Sequence, residues 1–230
     1  MNSLFFQIAT RFLSVALALT GLFLSLPARA QEALTVNPEA GNNTFSAVFD
    51  APLGERINAV SSAVGCDLSY DEKTAKASGT CSVPLTSIMV DNEETKTEHF
   101  RDWVTNKKTK AQGCRFEARF EGVRLSEPLG PDKTVKFTAE LPFTVCGRAR
   151  TDGHKEHVEG TALLIPGSET KTIKIRAHIS NFNRDAYQIG PKYTAGWFAR
   201  VQSLAKVVAE EGTVDLTVFA KAKSQQRGGQ

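Results

Sequence analysis

The chain has 230 residues, 41% of them apolar, with 28 Lys and Arg against 25 Asp and Glu for a net charge of +3. Such a balance is ordinary for a soluble globular domain and too even to neutralise a run of phosphates. With no block of five like charges anywhere, nucleic-acid binding is excluded as a first reading.

The first predicted element is an export signal. Residues 1–10 carry no acid, Arg11 is the only early charge, residues 12–26 (FLSVALALTGLFLSL) are apolar or small, and Pro27-Ala28-Arg29-Ala30 ends in Ala-x-Ala. This order predicts a secretory signal peptide over residues 1–30, cleaved after Ala30. Its apolar run is shorter than the roughly 20 residues of a spanning helix. Cleavage removes Arg11 and Arg29 and no acid, so the +3 becomes +1. No later stretch is long and apolar enough to span a bilayer, and the mature chain is expected in the periplasm if the source is Gram-negative.

Beyond Gln31 the dominant rhythm has period two, the mark of half-buried strands. Strands are predicted over residues 44–50 (Phe45 and Phe49 inward), 62–70 (Val64, Cys66, Leu68, Tyr70) and 80–89 (Cys81, Val83, Leu85). In residues 114–121, Cys114, Phe116, Ala118 and Phe120 alternate with Arg115, Glu117, Arg119 and Glu121. Residues 135–145 repeat the pattern through Val135, Phe137, Ala139, Leu141, Phe143 and Val145. Residues 158–165, 172–180 and 213–222 complete the set. Turn residues at 71–74, 127–132, 151–153 and 166–168 separate consecutive strands, which therefore pair antiparallel. About eight strands in residues 31–222 predict one all-β antiparallel barrel or sandwich rather than an α/β fold. Two segments have helical spacing instead. Phe100, Trp103 and Val104 mark residues 97–106, and Trp197, Val201, Leu204, Ala205 and Val208 mark residues 195–211, with Gly212 placed to end the helix. Both are expected over the barrel ends. The polar tail, 223–230, is expected to be disordered.

Four Cys in an exported chain are expected to pair. Cys66 and Cys81 lie symmetrically about the turn at 71–74, on the apolar face of both strands, and so are predicted cross-strand partners. Cys114 and Cys146 are symmetric about Gly130, but Cys146 has the polar parity of its strand. A bulge near Pro142, which cannot donate to a ladder, is expected to restore the match. Closing a loop of about fifteen residues is worth roughly 3 kcal/mol, so these bonds are read as stabilising. No Cys-x-x-Cys points to redox catalysis.

Enzymatic motifs are missing. His154-x-x-His157, flanked by Asp152 and Glu159, has metal-ligand types, but i, i+3 spacing focuses ligands on a helix and this segment is a loop entering a strand. A solvated turn is the better reading, and no metal is assigned. Ser203-x-x-Lys206 lacks its companion elements. Gly-x-Ser-x-Gly, phosphate-loop and dinucleotide fingerprints are absent. No catalytic residue and no cofactor are assigned. What remains is an inner face rich in Phe. In a barrel of about eight strands that interior is either filled or just wide enough for one small ligand. Phe45, Phe49, Phe116, Phe120, Phe137 and Phe143 are its candidate lining.

Four stretches carry a family resemblance: residues 87–101 (SIMVDNEETKTEHFR), 65–72 (GCDLSYDE), 114–118 (CRFEA) and 181–190 (NFNRDAYQIG). Their order is similar to that of the YceI-like family, lipocalin-like periplasmic polyisoprenoid-binding proteins, across residues 34–222. The resemblance implies an extended barrel that holds an isoprenoid or quinone-like lipid without catalysis. It also implies His99, Phe100, Asn183 and Arg184 at the site's rim or polar end. Phe100 stands where the family has Leu after His, and the four Cys are not a family hallmark. The expected function is therefore a periplasmic carrier of an apolar lipid. The alternative is a structural or protein-interaction barrel with a filled core.

Overall fold

A computed structural model describes residues 31–106, 110–194 and 208–223. The alternation read from the sequence becomes twelve strands. These are β1 (Glu32–Val36), β2 (Thr44–Asp50), β3 (Arg56–Ser61), β4 (Gly65–Asp71), β5 (Lys76–Pro84), β6 (Met89–Val90), β7 (Arg115–Arg124), β8 (Thr134–Leu141), β9 (Phe143–Val145), β10 (Glu156–Ile165), β11 (Thr172–Asn183) and β12 (Glu211–Ala222). All strand pairs are antiparallel. The expected count of about eight is thus corrected. β1, β3 and β6 were not foreseen, and Pro142, which has no N–H for the ladder, divides β8 from β9.

The strands form one sheet. β12 pairs β11 along one edge, and on its other edge gives residues 212–217 to β2 and residues 221–222 to β1. Asn43, buried at this fork, fills the missing rungs. Its Oδ1 accepts the Phe219 N–H (3.2 Å), and its Nδ2 donates to the Asn37 and Val64 carbonyls (2.8 and 3.4 Å). From β12 the pairing runs one way through β11 and β10 to β8, and the other way through β1, β4 and β5 to β7. Strand pairing does not close this circuit, which corrects the expected closed barrel. Leu125, just past β7, makes an isolated bridge to Phe137 of β8, and the ladder is open between there and the β7–β9 pairing.

Helix α1 (Glu94–Thr105) starts three residues before the predicted segment and ends at Asn106, which takes a left-handed conformation (φ 52°). Thr97, buried, anchors it by donating to the Glu93 carbonyl and accepting the Val90 N–H. The second predicted helix lies outside the described residues up to 207, and Glu211, its last residue, begins β12 instead. The short helix α2 (Pro191–Thr194) precedes that segment. Among the described residues no helix is long and apolar enough to cross a membrane.

Both predicted disulfides form. Cys66 and Cys81 are direct ladder partners with Cα atoms 4.1 Å apart. Cys114–Cys146, with Cα atoms 4.4 Å apart, is reached differently from expectation. Inward parity runs through Pro142 without a bulge, since Phe143 and Val145 keep the odd-numbered face of Val135 and Phe137. Cys146 is turned toward its partner by a left-handed backbone at Cys146 and Gly147 (φ 50° and 76°).

Candidate functional site

The inward faces of the strands do not fill the space between them. A cavity of about 150 Å³ lies there, lined by Phe45, Phe116, Phe120, Phe137 and Phe143 together with aliphatic residues from β4, β5, β7, β10, β11 and β12. The Phe137 ring lies over Gly160, its ladder partner on β10: a Cβ at residue 160 would fall 2.2 Å from the ring and 2.4 Å from the Arg176 carbonyl oxygen. Phe120, Phe137, Leu141 and Phe143 are only half-buried and flank the open seam between β7 and β8.

A second, smaller apolar cavity of about 40 Å³ adjoins the first. Phe45, Phe116, Phe143 and Val214 belong to both linings, so these three rings form a neck between the two. Phe49 lines the second cavity and not the first, as do Phe100 and Trp103 from α1. Phe100 stacks on Phe116 (6.3 Å between centroids, 6° between planes), and Phe143 meets Phe182 edge-on (5.6 Å). Such contacts add about 0.5–1.5 kcal/mol per pair beyond area burial and hold the rings in place.

Among the described residues, one charged residue lines the larger cavity. Glu156 begins β10, and its side chain shares the inward parity of Val158 and Ala162 and is 2% exposed. Its Oε1 accepts from Arg150 Nη1 (2.9 Å) and from the Tyr187 hydroxyl (2.6 Å). Arg150 uses its other nitrogens on the more exposed Asp152, Nε to Oδ1 (2.9 Å) and Nη2 to Oδ2 (2.7 Å), and so links a surface carboxylate to the buried one. That fork raises the Arg150 pKa and holds the Asp152 carboxyl well below the usual range. Tyr187 is fully buried, stacked on Phe182 (5.1 Å, 6°); desolvation and the Glu156 charge push its pKa up.

The residues expected at the rim divide: Phe100 and Arg184 line the smaller cavity, and Asn183 and His99 line neither. Asn183 lines neither cavity; its Oδ1 accepts the Asp185 and Ala186 N–H groups (2.9 and 3.1 Å) and shapes the turn that carries Tyr187. Arg184, 5% exposed, lines the smaller cavity and spends its guanidinium on three carbonyls, those of Ala209 (2.9 Å), Ile189 (2.6 Å) and Val208 (2.5 Å). Those bonds offset a burial that lowers its pKa, and they tie the Val208–Glu210 approach of β12 to the 184–189 turn. His99 is exposed on α1 and lines neither cavity. His157, expected in a solvated turn, lies within β10, is exposed, and meets Glu140 across the β10–β8 ladder (2.6 Å). No group of three or more His, Cys, Asp or Glu among the described residues is placed to hold a metal ion. Ser203 and Lys206 lie outside the described residues.

Arg150, Glu156 and Tyr187 were not singled out from the sequence. The inward parity of Val158, extended two residues toward the N-terminus, reaches Glu156 and was the available signal. Nothing in the local pattern links Glu156 to Tyr187, 31 residues away.

No protein-family model and no curated protein sequence matches the chain. Solved structures do. One is a polyisoprenoid-binding domain from Saccharophagus degradans implicated in plant cell wall breakdown, with TM-score 0.53 and 11% identity over 84% of this chain and 100% of that one. Another is BcnA from Burkholderia cenocepacia, with TM-score 0.50 and 15% identity over 82% and 99% of the two chains. The chain shares their fold. At these identities the likeness concerns the backbone arrangement alone, and that arrangement is the one the sequence resemblance implied.

Proposed function

We propose that the chain is an exported, non-catalytic binding protein that carries an apolar lipid of isoprenoid or quinone-like type in the interior of its sheet. The larger cavity carries this reading: it is lined almost entirely by aliphatic and aromatic side chains, with one placed charged group. A filled core, the alternative reading, is disfavoured by the same cavity. Its 150 Å³ is the scale of a space that stays dry and admits a benzene-sized guest. A longer prenyl chain must turn the Phe45, Phe116 and Phe143 rings to join the two cavities, or extend along the seam between β7 and β8. The proposed site is the interior set Phe45, Phe116, Phe120, Phe137 and Phe143, with Phe49 and Phe100 beyond the neck. Two disulfides and the signal-like residues 1–30 support export to an oxidising compartment, the periplasm in a Gram-negative source. The polyisoprenoid-binding description of the Saccharophagus degradans domain supports the ligand class.

The test is organic extraction of the protein purified from its native compartment, followed by mass spectrometry. The expected result is a co-purifying lipid with a prenyl or similarly apolar tail. A chain that releases no lipid, and that takes up no prenyl probe after delipidation, is not a carrier.

A further inference from the structure

Glu156 is costly where it stands. A carboxylate 2% exposed in the wall of an apolar cavity loses most of its hydration, which a protein offsets only by pairing and by hydrogen bonds to its oxygens. Here the offset is lopsided. Both hydrogen bonds fall on Oε1, and Oε2 receives none from the described residues. Arg150 and Tyr187, which supply them, are absent from the cavity lining, and Glu156 is the charged residue present in it.

We propose that Glu156 Oε2 is the head-group acceptor of the cavity, and that it selects lipids whose polar end is a neutral hydrogen-bond donor, such as an alcohol or a hydroquinone. The proposal rests on the carrier reading and adds to it the chemistry of the head. A hydroxyl placed against Oε2 supplies the missing bond to a desolvated charge, where a hydrogen bond is worth more than in water. A phosphate head meets like charge, and Arg150, the cation paired with Glu156, is already committed to two carboxylates. An ether or ketone head has only lone pairs to offer to a carboxylate that also has only lone pairs.

Ser69, Ser82 and Tyr70 are the other polar residues of the lining. The Ser69 hydroxyl donates to the Ser78 carbonyl (3.4 Å), whereas the Tyr70 hydroxyl accepts the Leu129 N–H (3.0 Å) and keeps its own proton to give. It would favour acceptor heads. Glu156 is the stronger determinant, because an ionised group short of partners costs more than a hydroxyl with an unspent proton.

The experiment is calorimetric titration of the delipidated, disulfide-bonded chain with two probes of one tail, farnesol and farnesyl methyl ether, with farnesyl phosphate as a third. The expected result is farnesol bound about tenfold more tightly than the ether, with the phosphate weaker than both. In Glu156→Gln the amide oxygen takes over the bonds from Arg150 and Tyr187, and the amide nitrogen, a donor, occupies the place of Oε2. The preference is then expected to vanish or invert toward the ether. Equal binding of alcohol and ether to the native chain overturns the head-group assignment and leaves the carrier reading standing. A preference for the ether that is lost in Tyr70→Phe also overturns it, in favour of Tyr70. Failure of all three probes to bind overturns the carrier reading, and the assignment with it. The native-chain comparison needs no variant, so an unstable Glu156→Gln does not weaken the test.

Discussion

Glu156 and His157 are consecutive on β10, and each has an ionisable partner from another part of the chain, yet they face opposite sides of the sheet. Glu156 points inward to Arg150 and Tyr187; His157 points outward to Glu140 on β8. The side chains differ in exposure from 2% to 55%. The contrast teaches that in a strand the parity of a residue, more than its chemical type, sets what an ion pair contributes. Inside, removing a partner leaves a charge that water cannot reach. Outside, water replaces the partner at little cost.

The comparison breaks most visibly at Arg150. Arg150→Ala leaves the Glu156 carboxylate with Tyr187 alone and is expected to destabilise the fold by about 3–5 kcal/mol, read from urea unfolding. A loss below about 1 kcal/mol would mean that Glu156 is hydrated in solution and that the inside–outside contrast is false. Next in size is Gly160→Ala, on the same inward face. The new methyl group collides with the Phe137 ring (2.2 Å) and the Arg176 carbonyl oxygen (2.4 Å), and displacing that ring and the backbone beside it is expected to cost about 1–3 kcal/mol. The same ring movement shrinks the cavity, so prenyl-probe affinity falls along with stability. Unchanged affinity would show that Phe137 does not bound the binding space. Tyr187→Phe is a finer probe, since it keeps the stacking on Phe182 and removes only the hydroxyl that donates to Glu156. Its expected cost is about 1–2 kcal/mol.

Much of this arrangement was legible in the sequence wherever large apolar side chains alternate with charges. β2 is found at its predicted bounds, and the interior Phe set follows from the same alternation. β3 was not legible because two of its three inward residues, Ala59 and Ser61, are small, and Val60 on the outward face blurs the alternation that Ile57 begins. β6 is two residues long and has no period to read. Register explains why one disulfide followed from parity alone while the other needed a left-handed turn at Cys146. The roles that the structure gives Arg184 and Asn183 were not legible either. Arg184 and Asn183 have the side chains expected of a rim, but the chain uses them to cap and tie its own backbone. Glu156 was passed over because two histidines and a glycine nearby made its segment look like a solvated loop, and only the pairing of residues 156–163 with β8 shows where the strand begins.

The outward half of the comparison gives the smallest effect and the cleanest sign. Glu140 raises the His157 pKa above its ordinary value near 6.5 by accepting from the protonated ring, and Glu159 adds to this from the same strand. Because the folded pKa lies above the unfolded one, the pair's contribution to stability is fully present below about pH 6.5 and is lost as pH rises through the folded value. With both side chains more than half exposed, that contribution is small and screened by salt. Proton NMR titration of His157 is therefore expected to give a midpoint above 6.5 that moves down in Glu140→Gln, with little change in urea midpoint and none in prenyl-probe affinity. A large loss of stability or of binding in Glu140→Gln would place His157 and Glu140 in the interior network, and the division between the two faces of β10 would fail.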